Sequence, residues 1–113
     1  LRLPGPPTPC VVRVSVLICY DVEFPEMVRI LARRPHRVEL LLVPTALPYT
    51  EPNAAVRIVP ARAMENRIFV AYCNYPCIPR VDQEYFAGHS CVAGPDAEFV
   101  AGPCAWAVGV VLF

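Results

Sequence analysis

Lysine is absent from this 113-residue sequence, so all ten basic side chains are arginine. A reaction that needs a compact ammonium group cannot draw it from these residues, because a guanidinium stays charged to above about pH 12 and presents a planar fork. Charge of either sign is scarce: 18% of residues are charged, basic and acidic side chains number ten each, and the formal net charge is zero. Apart from Arg33, Arg34 and Arg37 the basic residues are scattered, which leaves no electrostatic footprint for nucleic acid. No run of 18 apolar residues occurs, so no transmembrane helix is expected, and Leu1 to Pro9 lacks the charged and apolar regions of a signal peptide. The expected compartment is the cytoplasm.

Apolar residues, by contrast, are plentiful at 56%. A chain of this size has one core and buries roughly 60–68% of its unfolded surface. The apolar excess predicts either a piece of something larger or a buried partner face. The opening on Leu1 points the same way, since an initiator Met is usually trimmed only before a small residue. Six cysteines (Cys10, Cys19, Cys73, Cys77, Cys91 and Cys104) read, in a reducing cytosol, as buried thiols or reactive groups in preference to a disulfide framework.

Along the chain, proline-rich Leu1 to Pro9 reads as an extended lead-in. Val11 to Ile18 predicts a strand with Val12, Val14, Val16 and Ile18 on one wholly apolar face. Cys19 ends it, and Pro25 with Glu26 opens a helix over about Phe24 to Arg34 whose core side is Met27, Ile30 and Leu31. Val38 to Val43, closed by Pro44, predicts a strand buried on both faces. Strand, helix and strand in this order make a right-handed βαβ unit with Cys19 at the carboxyl edge, where ligands of open α/β sheets collect. Thr45 to Asn53 reads as a loop, Ala54 to Arg67 as a helix kinked or restarted at Pro60, and Ile68 to Asn74 as a strand. A further loop spans Tyr75 to Glu84. Tyr85 to Ala93 and Glu98 to Ala101 form a hairpin about Gly94, Pro95 and Asp96, and Val108 to Phe113 a last strand.

A single cysteine at a strand end is usually a small buried hydrophobe. Cys73, Cys77, His89 and Cys91 form an acceptable zinc ligand set by type, but Cys-x3-Cys is loose and His-x-Cys on one strand points its side chains to opposite faces, so no metal site is expected. His36 belongs to a solvated basic turn. Tyr20, Phe24, Tyr72 and Tyr85 could line a pocket, but aromatics at such spacing are more often core.

Three motifs in this order, LICYDVEFPE (Leu17 to Glu26), ARAMENR (Ala61 to Arg67) and YFAGHSCVAGPDAEFVA (Tyr85 to Ala101), with LLLVPTAL (Leu40 to Leu47) between the first two, resemble the nitrilase superfamily of carbon-nitrogen hydrolases. Within it the wording is closest to amidases of short aliphatic and ω-amino amides such as 5-aminopentanamidase. The family-like core covers about residues 11–101 of a partial domain spanning 1–113; Cys104 to Phe113 matches the family poorly. The resemblance implies an α/β fold, part of a four-layer α-β-β-α sandwich. It also implies hydrolysis of a small non-peptide carboxamide through a cysteine thioester, with no metal or organic cofactor. Cys19 matches the nucleophile, the backbone N–H of Tyr20 would face the oxyanion, and Glu65 matches a buried, site-supporting glutamate that is not the base. The family's base glutamate and lysine precede the cysteine segment and have no counterpart here, so the 113 residues by themselves are expected to be inactive. The helices at Phe24 to Arg34 and Ala54 to Arg67 would form a homodimer interface. The other reading is a non-catalytic remnant or interaction module that associates through those same helices.

Overall fold

A computed structural model describes residues 11–48, 50–77 and 86–104. Strand β1 (Val14–Val16) leads through a single 3-10 turn (Cys19–Glu23) into helix α1 (Pro25–Ala32) and strand β2 (Leu40–Thr45). A π-helical turn (Ala54–Ile58) runs directly into helix α2 (Val59–Asn66), followed by β3 (Phe69–Asn74), β4 (Ser90–Ala93) and β5 (Phe99–Cys104). The five strands form one sheet in the order β1-β2-β3-β4-β5, in which β1, β2 and β3 are parallel and β4 and β5 are antiparallel additions. A mixed sheet with helices packed on one face is the α/β class expected from the sequence. Among the described residues no helix is long and apolar enough to cross a membrane.

The core lies between the sheet and the two helices. Leu41 and Val43 of β2, Val70 and Tyr72 of β3, and Cys91 and Ala93 of β4 point into it, where they meet Val28 of α1 and Val59 and Ala63 of α2. Fully burying a Val or Leu side chain is worth roughly 1.5–3 kcal/mol, so this layer carries most of the packing energy. On the opposite face the residues alternate outward: Val14 and Val16 of β1, Leu42 of β2, Phe69 of β3 and Val100 of β5 are all exposed. Val12, Leu40, Phe69, Val92 and Val100, with Glu39 at the rim, line an apolar depression there, on the far side of the sheet from the helices.

Several expectations need correcting. The first strand is three residues long instead of eight, because only Val14 to Val16 find partners, on Leu40 to Leu42. Its wholly apolar face of Val12, Val14, Val16 and Ile18 is the uncovered one, while Leu17 on the other side is buried. Helix α1 buries Val28 fully and Leu31 and Ala32 partly; Met27 and Ile30, expected in the core, are 43% and 60% exposed. The helix rolls so that its small β-branched residue meets α2, and the longer side chains face out. Strand β2 is not buried on both faces but alternates, since helices cover only one side of the sheet, and Pro44 lies within it paired to Cys73 instead of closing it.

Pro60 coincides with a change of helix type: the wide π-helical turn of Ala54–Ile58 runs without a break into α2, and the proline, second residue of α2, has no N–H to return to that turn. The hairpin forms about the expected turn, closed by Gly94 N–H to Glu98 O at 2.8 Å and by the Asp96 carboxylate accepting Glu98 N–H, but its first strand is only Ser90–Ala93 and its second runs on to Cys104. At Gly102 (φ +72°) a Cβ would lie 2.3 Å from Ser90 O, so only glycine lets β5 approach β4 this closely. The lead-in, residues 78–85 including Tyr85, and the strand expected at Val108 to Phe113 lie outside the described residues.

Candidate functional site

The carboxyl edge of the parallel strands is where the polar side chains gather. Leu17 N–H still donates to Leu42 O at 3.0 Å, holding the chain against β2 one residue before it turns. Ile18 is extended, and Cys19 then takes φ 52°, the left-handed region that β-carbon sterics disfavour for anything but glycine. A strained junction between strand and helical turn, with a thiol at its apex, is the geometry that exposes a nucleophile.

Asp21 closes the front of the turn. Its carboxylate accepts Ile18 N–H at 3.1 Å, and its own N–H donates to Ile18 O at 3.1 Å. That carboxylate is thereby engaged in local structure. Behind the turn Val22 is 1% exposed and anchors it in the core. Cys19 itself is partly exposed, and the Tyr20 N–H lies in the first step of the turn beside it. Tyr20 and Phe24, both substantially exposed, stack edge to face at 5.0 Å between ring centres on the outer side of the turn.

Glu65, the third residue singled out from sequence, sits on α2 and connects to the turn through a residue that sequence reasoning passed over. Its Oε1 accepts from Arg62 Nη1 at 3.1 Å, while Arg62 Nε donates to Val22 O at 3.0 Å and Nη2 donates to Glu23 O at 2.7 Å. The Glu65 side chain is 35% exposed, not buried as the resemblance implies. The signal for Arg62 was present in ARAMENR, three residues before the glutamate and thus on the same helix face.

Asn74 is a second residue missed. It is 5% exposed at the end of β3; its Oδ1 accepts Leu47 N–H at 3.0 Å, and its Nδ2 donates to Leu47 O at 3.2 Å. Its main chain is gripped by Ser90, whose Oγ accepts Asn74 N–H and donates to Asn74 O, each at 3.1 Å. Asn74 thus fixes the loop after β2 beside the cysteine edge. The only sequence signal was a buried-type amide ending an apolar run, IFVAYCN.

Tyr72 lies beneath the same edge. Burial pushes its phenol well above the usual range, opposed by a hydrogen bond with Thr45 and reinforced by the neighbouring Cys19, Cys91 and Glu23. Cys91, opposite Tyr72 in the ladder, is turned into the core with its Sγ 3.9 Å from Ala55 O, and burial pushes its thiol up to about 12. Cys73 alternates to the open face of the sheet, so the four groups weighed as zinc ligands are not gathered; among the described residues there is no cluster of three or more potential ligands.

Comparison with known proteins agrees with this geometry. The carbon-nitrogen hydrolase family profile matches residues 5–112. A protein of Pseudomonas protegens described as the hydrolase in the pqqF 5' region is 43% identical over 91 residues, covering 79% of this chain and 30% of its own length. The 2-oxoglutaramate amidase of Bacillus subtilis is 38% identical over 84 residues, covering 74% of this chain and 31% of its own. This chain therefore spans about a third of the length of such relatives. A structure of the Nesterenkonia AN1 amidase of the nitrilase superfamily superposes with a TM-score of 0.74 at 39% identity, over 95% of this chain and 41% of that one. Another structure of that amidase carries the acetamide moiety of fluoroacetamide covalently on its active-site cysteine. Matched over nearly its whole length by the family profile and superposing on an amidase of that fold, this chain belongs to the carbon-nitrogen hydrolases of the nitrilase superfamily.

Proposed function

We propose that the protein containing this chain hydrolyses small non-peptide carboxamides and releases ammonia, with Cys19 as its nucleophile. The observation that carries this reading is the position of Cys19 at φ 52° on the strand-to-turn junction of LICYDVEFPE. The Sγ attacks the amide carbon and the carbonyl oxygen takes the negative charge. The C–N bond then breaks as the leaving nitrogen gains a proton and departs as ammonia. Water next attacks the thioester, releasing the carboxylic acid and restoring the thiol. The Tyr20 N–H is suited to meet the oxyanion, and loss of one such donor typically costs about 3–4 kcal/mol of transition-state stabilisation. Glu65 supports the site at a distance through Arg62.

The 113 residues supply the nucleophile and its scaffold but no lysine, and the Asp21 carboxylate beside Cys19 is occupied by Ile18 N–H. The chain by itself is therefore inactive in this reading. Ammonia release from short aliphatic amides by the intact protein, lost in Cys19→Ala together with the covalent acyl adduct seen by mass spectrometry, is the expected result. Release that survives Cys19→Ala overturns the reading.

Phe24, Met27 and Ile30 on the first helical segment and Met64 on α2 are exposed apolar residues, which supports association of two copies through these helices. The same surface favours the second reading, a non-catalytic module that binds through these helices. A monodisperse dimer without thiol-dependent ammonia release would favour that module over the amidase.

A further inference from the structure

The geometry points to Arg62 as the residue that positions the nucleophile turn for reaction. The Cys19–Glu23 turn is only five residues long, so its own hydrogen bonds cannot hold a residue at φ 52° against relaxation. Its front is fixed by β1 and by the Asp21 carboxylate on Ile18 N–H. Its rear ends in the carbonyls of Val22 and Glu23, and Arg62, some forty residues later in the chain, donates to both, at 3.0 and 2.7 Å. The third guanidinium nitrogen donates to Glu65, so all three nitrogens are engaged, on a side chain only 13% exposed. A planar fork spans two adjacent carbonyls and a carboxylate at once; an ammonium on a flexible stem cannot hold that geometry. Cys19 is thus suspended between two fixed points, one of which belongs to α2. Arg62 does not touch Cys19 and acts only through the turn.

The kinetic consequence rests on the proposed amidase function, but the positioning itself does not, and thiol labelling separates the two. Cys19 reports the turn, buried Cys91 reports unfolding, and N-acetylcysteine added at a known concentration reports general thiol chemistry. Purified protein is labelled briefly with iodoacetamide and the modified thiols are quantified. In Arg62→Met the ratio of Cys19 to N-acetylcysteine labelling should fall at least threefold while Cys91 stays protected; Arg62→Lys should give an intermediate ratio. On a short aliphatic amide, kcat should fall at least tenfold in Arg62→Met with KM within about twofold. An unchanged or raised ratio overturns the proposal, and so does labelling of Cys91 in both variants, which would make Arg62 merely structural. If the unsubstituted protein releases no ammonia, the amidase reading falls and the labelling ratio still decides the role of Arg62.

Discussion

Cys19 adopts a backbone conformation that costs a residue with a β-carbon about 1–2 kcal/mol. A glycine there would pay none of this, although it gains entropy when unfolded. Cys19→Gly should therefore be more stable than Cys19→Ala by about 1 kcal/mol, which thermal unfolding of the two inactive variants would show as a shift of about 4 °C or more. Equal melting temperatures would mean that the turn relaxes and stores no strain.

Cys91 gives a pH dependence of known sign. Its thiol is raised from near 9.0 to about 12 because burial penalises the thiolate. The unfolded chain releases that proton first, so the stabilisation is complete below pH 9 and is lost as pH rises from 9 towards 12. Buried Tyr72 titrates in the same direction. Denaturant midpoints should fall across that window, and less steeply in Cys91→Ala. A parallel decline in both proteins would place the alkaline sensitivity elsewhere.

At the level of elements, α1 separates what periodicity reveals from what it leaves open. Pro25 and Glu26 mark the start of α1 correctly, but which side faces inward is settled by contact with α2, which the sequence does not display. Val28→Ala removes a fully buried side chain and should cost about 2 kcal/mol, whereas Met27→Ala should change the stability of the isolated fold by less than about 0.5 kcal/mol. Urea unfolding of both variants checks this, and equal losses would restore the face expected from spacing. The strands were legible where turn residues bound them, as in Ile68 to Asn74 and the hairpin at Gly94. The length of β1 was not, because strand ends depend on available partners, and β2 offers only Leu40 to Leu42 to it. The proposed nucleophile could be singled out from its motif, while Arg62 and Asn74 act through hydrogen bonds across 40 and 27 residues, a separation that no local pattern encodes.

Over the whole molecule the dominant feature is an apolar sheet that, among the described residues, has helices on one side and an open second side. The 56% hydrophobic composition had predicted an excess needing cover, and Val14, Val16, Leu42, Phe69 and Val100 are where it lies. Contiguous exposed apolar surface on a β-sheet drives association. The 113-residue chain alone should therefore self-associate, and a variant with Val14, Val16 and Phe69 changed to Thr should sediment as smaller species with an unchanged circular dichroism spectrum. Identical sedimentation of the two would show that another surface is responsible.

The strand order carries a consequence for how the molecule is made. Each strand lies beside the one translated immediately before it, from β1 through β5, so no strand has to be inserted between two already paired. The sheet can lengthen at a single growing edge as the chain leaves the ribosome. When α2 joins this layer it brings Arg62 to the waiting carbonyls of Val22 and Glu23, so the thiol is locked in place only after the second helix has been synthesised. During synthesis, then, the turn that carries Cys19 emerges some forty residues before the side chain that fixes it.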